Sequence, residues 1–81
     1  VSGAEFALSD VEVACGVTLD DVRLARREAY VSASGTYVTI RKGTPPAVAG
    51  AAARLALGGP VEFESFDTFG QPFYRLAPNP R

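Results

Sequence analysis

Leu19-Asp20-Asp21-Val22-Arg23-Leu24-Ala25-Arg26-Arg27-Glu28-Ala29-Tyr30-Val31-Ser32-Ala33 reads as an amphipathic helix, and Ser34-Gly35-Thr36 carries it at once into Tyr37-Val38-Thr39-Ile40, which reads as a strand. Upstream the apolar positions keep step. Ala4, Ala7, Leu8, Val11, Cys15, Leu19, Val22, Ala25, Ala29 and Ala33 recur every three or four residues, the spacing of one helix face. Glu5, Asp10, Glu12, Asp20, Asp21, Arg23, Arg27 and Glu28 fall between them, as a solvated face requires. The stripe holds its phase across Cys15-Gly16-Val17-Thr18, so one long helix over residues 4–33 is the first expectation. The alternative is a break at Gly16, with Thr18 as N-cap and Asp20 and Asp21 in the first turn of a new helix. Ser34-Gly35 is a good helix stop.

Downstream the pattern changes to short strands and turns. Val38 and Ile40 alternate with polar neighbours and are expected to face the helix. Pro45-Pro46 ends that strand in a loop. Residues 47–57 are ambiguous: Ala51-Ala52-Ala53-Arg54-Leu55-Ala56-Leu57 has helical composition, yet Ala53, Leu55 and Leu57 also alternate. Gly58-Gly59-Pro60 is a turn. Val61-Glu62-Phe63-Glu64-Ser65-Phe66 is the clearest strand, with Val61, Phe63 and Ser65 on one face and Glu62 and Glu64 turned to solvent. After a turn over residues 67–72, Phe73-Tyr74-Arg75-Leu76 returns antiparallel to it, and the proline-broken residues 77–81 form a frayed tail. The fold class is thus α+β: residues 1–81 make one domain, with a long N-terminal helix (residues 4–33) packed on a small antiparallel sheet built from the strands and turns of residues 37–76.

Composition bounds the chemistry. A chain of 81 residues buries a thin core and has little room for an enclosed active site. It has no histidine and one cysteine, which rules out an internal disulfide and a His-based catalytic pair or zinc site. Cys15 lacks a histidine base and reads as a small buried apolar residue. No catalytic group, cofactor or metal is expected. Eight lysines and arginines against nine acidic residues give no global attraction to nucleic acid or an anionic membrane. No run of 18 apolar residues is present. The sequence opens at Val1 rather than methionine, as a processed or excised form does.

The segment over residues 19–29 resembles the end of the first helix in the GspH/FimT group of minor pseudopilins and type IV pilin-like proteins, where Leu-x-x-Asp-(Leu/Val)-Arg-x-Ala-Arg-x-x-Ala precedes a small-residue turn and a strand. Gly35-Thr36-Tyr37-Val38-Thr39-Ile40 is similar to that continuation, and Val61-Glu62-Phe63 with Phe69-Gly70-Gln71-Pro72 is similar to the group's later strand and turn. The resemblance implies a pilin-like fold whose helix continues upstream into an apolar half. It implies a structural subunit of a type IV pilus or type II secretion pseudopilus, without catalysis. Its partners would be other pilin or pseudopilin subunits and, through that upstream helix, the bacterial inner membrane. The globular part would lie on the periplasmic side or in an extracellular filament. Subunit contacts along the helix would involve Leu8, Val11, Cys15, Leu24 and Val31.

Two other readings of the residues stay open. Arg23, Arg26, Arg27, Arg41 and Lys42 could form a basic patch for nucleic acid, with a helix-turn-helix flavour across residues 14–19; the acidic residues among them disfavour it. A generic interaction domain would dock through Phe66, Phe69, Phe73 or Tyr74, whereas Phe63 reads as core.

Overall fold

A computed structural model describes residues 6–78. The described chain runs through helix α1 (Asp10–Ala14), helix α2 (Leu19–Arg27), strands β1 (Tyr30–Val31) and β2 (Tyr37–Thr39), helix α3 (Pro46–Leu57), and strands β3 (Val61–Phe66) and β4 (Pro72–Leu76). The four strands form one antiparallel sheet in the order β1-β2-β4-β3. The α+β class and the antiparallel sheet agree with the sequence reading, and so does the β3–β4 hairpin.

The long helix over residues 4–33 does not form. Among the described residues it is replaced by α1, a turn, α2 and β1. Gly16 takes a positive φ of 84°, a conformation that closes a helix and that side chains disfavour. Thr18 then caps α2: its hydroxyl accepts from the Asp21 amide at 3.2 Å, with Asp20 and Asp21 against the positive end of the helix. Val17 turns into the core, while Cys15, expected to be buried, is exposed at the end of α1. The unbroken phase of the apolar stripe was therefore coincidental. Its buried part on α2 is only Val22 and Ala25, and Ala4 lies outside the described residues.

Residues 46–57 are helix, not strand. Pro46 sits in the first turn, where its missing N–H costs nothing, and Gly58 closes the helix at φ 77° with its amide donating to the Arg54 carbonyl at 2.8 Å. Alanines dominate its buried face: Ala49, Ala51, Ala52 and Ala53 are almost fully covered, with Val48 beside them. Alanine is the strongest helix former and the smallest side chain with a Cβ, so α3 can lie close to both of its neighbours. It packs on β2, β3 and β4, and α2 packs on α3. The sheet thus carries two stacked helices on one face, rather than one. Ile40, Val22 and Val38 are the largest fully buried side chains and fill the centre; Val38 and Ile40 face the helical layer as the alternation in β2 indicated.

α1 contributes no buried residue and is too short to stand on propensity. Two devices fix it. Ser9 and Glu12 form a reciprocal capping box, with Ser9 N–H donating to Glu12 Oε1 at 2.8 Å and Glu12 N–H donating to Ser9 Oγ at 3.1 Å. The second is Arg54 of α3, which pairs with the Glu12 carboxylate, donates to the Ala7 carbonyl at 3.3 Å, and lies 4.8 Å over the Phe6 ring.

Candidate functional site

An exposed aromatic surface is built by β3 and the turn that follows it. On β4, Pro72, Tyr74 and Leu76 point toward the helices, and their partners on β3 include Val61 and Phe63. The register slips between Phe63 and Ser65, so Glu64 is an extra residue and Phe66 comes opposite Pro72. This bulge corrects the sequence assignment. Phe66 joins Val61 and Phe63 on the helical side, and Ser65 comes opposite Phe73 on the other.

Phe63 and Phe66 meet edge-on at 5.2 Å, and Phe63 meets Tyr74 in the same way at 5.7 Å. α3 begins too far along the sheet to cover them. Phe63 remains 52% exposed and Phe66 63%, so Phe63 is not the core residue its alternation suggested. They wall a groove of about 480 Å³ whose far side is Lys42, Thr44, Pro46 and Ala49. Phe69, at the tip of the β3–β4 turn, is 76% exposed. Tyr74 is half-buried at the groove floor, and that burial pushes its hydroxyl above the ordinary tyrosine range.

Asp67 sets the turn. Its carboxylate accepts from the Phe69 amide at 2.9 Å, the Gln71 amide at 2.8 Å and the Gln71 side-chain amide at 3.2 Å. The Gln71 backbone bond is the main cause that holds this carboxyl below its ordinary 3.8. The sign follows: a lowered folded value makes the ionised turn stabilising above the ordinary value, and that contribution fades as the pH falls through the lowered one. Gly70 allows the positive φ of 80° in the turn, and the Lys42 side chain lies along it, with Nζ 3.5 Å from where a Cβ would stand.

The opposite face of the sheet is polar at its β3 edge. Arg75 on β4 is held between Glu62 at 3.0 Å and Glu64 at 2.8 Å. Both carboxylates are on the solvent side, as the alternation indicated, but their shared guanidinium was not anticipated. Farther along this face Tyr37 and Phe73 lie 6.2 Å apart with their rings tilted at 58°.

The two site groups read from the sequence do not assemble. Leu8 precedes α1, Val11 is within it and Cys15 caps its end, Leu24 is on α2, and Val31 is on β1. Leu8 and Val31 are half-buried and pack against the core, whereas Val11 and Leu24 are 71% and 52% exposed on separate helices. The basic patch divides likewise. Arg23 pairs with Asp20 at 3.8 Å and Arg41 with Glu28 at 3.1 Å. Lys42 turns the other way, to the β3–β4 turn, leaving Arg26 and Arg27 at the end of α2. α1 makes its tertiary contact chiefly with α3, which is not the packing of a helix-turn-helix reader.

No known family, curated protein or solved structure matches the chain.

The features that composition left unseen are the groove and the Glu62–Arg75–Glu64 cluster. The second had a faint signal: Glu-x-Glu on one strand of a hairpin with an arginine on the other. The groove had none, because it depends on where α3 starts relative to Phe63 and Phe66.

Proposed function

We propose that this chain is a structural assembly domain that docks onto partner proteins through the aromatic surface of β3, and that its specific role is that of a minor pilin or pseudopilin subunit of the GspH/FimT kind. The observation that carries the reading is the contacting pair of Phe63 and Phe66, each more than half exposed, with Phe69 exposed on the turn that follows their strand. Contiguous apolar surface of this kind on a small domain marks a place that another molecule covers. Aromatic side chains supply such contact area at low entropic cost.

The pilin-like form of the reading rests on the resemblance of three segments, without the long first helix that the resemblance implies. Residues 19–29 span α2 and the approach to β1, residues 35–40 are the entry to β2 and β2 itself, and Phe69-Gly70-Gln71-Pro72 is the turn that presents the aromatic surface. Without a continuous rod over residues 4–33, the contacts between subunits move from the helix stripe to β3. The inner membrane, its periplasmic side or a filament is the location this role implies.

Cell fractionation in the organism that carries the gene tests the proposal, using an antibody to this chain and its Phe63→Ser/Phe66→Ser variant. The wild-type protein is expected in the membrane or sheared-filament fraction together with other pilin-like subunits. The variant is expected to lose most of that association, by about tenfold or more given the weight of buried aromatic anchors. Recovery of the wild-type chain as a free monomer in the cytosolic fraction would contradict the role.

A further inference from the structure

β3 is an outermost strand of the sheet, and among the described residues no strand pairs with its outer side. The pattern of hydrogen bonds shows which backbone groups that side offers. Ala77 N–H donates to the Pro60 carbonyl at 2.8 Å, which makes residues 60 and 77 a hydrogen-bonded pair. In an antiparallel ladder such pairs alternate, so Glu62 exchanges its backbone bonds with Arg75, while Val61 and Phe63 turn their N–H and C=O outward. Phe63 and Phe66 stand beside this edge on the groove side, and Glu62 and Glu64 stand beside it on the other. From Val61 to Phe66 the strand carries two carboxylates and no basic residue. Arg75 bridges both and offsets one of the two charges.

We propose that the free edge of β3 takes up an extended segment of a partner protein as a fifth strand, one whose side chains alternate between apolar residues and lysine or arginine. The inference rests on reading the β3 surface as the docking surface and names what docks there. The alternation follows from the strand period: successive side chains of an added strand fall on opposite faces. Those on the groove side meet Phe63 and Phe66, and those on the other side come within about 5 Å of Glu62 and Glu64. Charge selects the occupant. A second copy pairing antiparallel through its own β3, centred on Phe63, would set Glu62 against the second Glu64 and the reverse, a like-charge arrangement that opposes self-association. A basic strand reverses the sign of the same interaction.

The test uses this chain made by chemical synthesis, with and without an N-methyl group on the Phe63 amide. The probe is a fluorescein-labelled, end-blocked peptide of alternating lysine and valine; its counterpart alternates glutamate and valine. Fluorescence polarisation reads binding, and circular dichroism checks folding. The Phe63 N–H makes no bond within the sheet, so the methylated chain is expected to fold. Methylation at Val61, a second outward amide, serves as the second variant. The lysine peptide is expected to bind more weakly as salt rises. It should lose about tenfold or more in affinity on either methylation, and the glutamate peptide should bind at least about tenfold more weakly to the unmodified chain. Unchanged affinity for the methylated chains would overturn strand addition and leave side-chain docking at the same surface intact. Failure of the lysine peptide to bind, or methylation-sensitive dimers of the chain in sedimentation, would overturn the basic strand as occupant. The fractionation result above judges the assembly role independently of each.

Discussion

Replacing Ile40 with alanine is expected to cost about 2–5 kcal/mol, the range for truncating a buried branched side chain in a core that cannot fully close over the gap. Ile40 is fully buried just past β2, where its amide donates to the Pro72 carbonyl at 2.9 Å. Its side chain stands with Val38 and Val22 at the centre of a core that otherwise consists largely of alanines. Alanines bring helices close but bury little area each, so a few large side chains carry much of the apolar burial. A domain of 81 residues has about 4–12 kcal/mol of total stability at ~0.05–0.15 kcal/mol per residue. The substitution therefore removes a large share of it. At about 3 kcal/mol the midpoint of thermal unfolding would fall by about 12–24 °C, at ~4–8 °C per kcal/mol for a domain of this size. Ile40→Val, which deletes one methylene, should cost about 1 kcal/mol. Thermal unfolding of the two variants checks the ratio. A cost below about 1 kcal/mol for the alanine variant would place Ile40 outside the load of the core.

The second large effect is expected at Arg54. Substitution by alanine removes the partner of Glu12, a bond to the Ala7 carbonyl and the cation over Phe6. The Glu12 side chain is only 13% exposed, so the carboxylate left behind is poorly solvated. Breaking a fully buried pair costs about 3–5 kcal/mol, and partial exposure brings the expected value down to about 2 kcal/mol. Loss of the alkyl stem adds to it. α1 should be the first element released, because the capping box alone then holds it. A double-mutant cycle with Glu12→Gln and Arg54→Met in chemical denaturation isolates the pair, with an expected coupling of about 1–2 kcal/mol. Additivity within about 0.3 kcal/mol would mean that the pair is a surface contact of no consequence.

These two sites show what the sequence could and could not convey. Alternation in β2, proline and glycine at the turns, and the acidic positions of β3 all report local backbone preferences, and each was readable. The helix stripe was readable too, but phase cannot see a turn whose length happens to restore it. What decided the matter was local: Gly16 at positive φ and the Thr18 cap outweighed a periodicity that nothing on the sheet required. α3 was obscured because a helix with alanine on most faces has little amphipathic contrast. Glu12 and Arg54 are far apart in sequence, and no local pattern links them. The bulge at Glu64 moves Phe66 to the groove side by inserting one residue, which strict alternation cannot anticipate. Half of the candidate docking surface follows from that slip and from the point at which α3 begins.

Amide hydrogen exchange across β3 in the free protein tests the account most directly, because docking at this strand requires an open edge beside the aromatic row. The Glu62 amide should exchange slowly, at a rate set by opening of the β3–β4 ladder, whereas the Val61 and Phe63 amides should exchange faster by about an order of magnitude or more. Equal protection of all three would show that the edge is already occupied and would contradict the account.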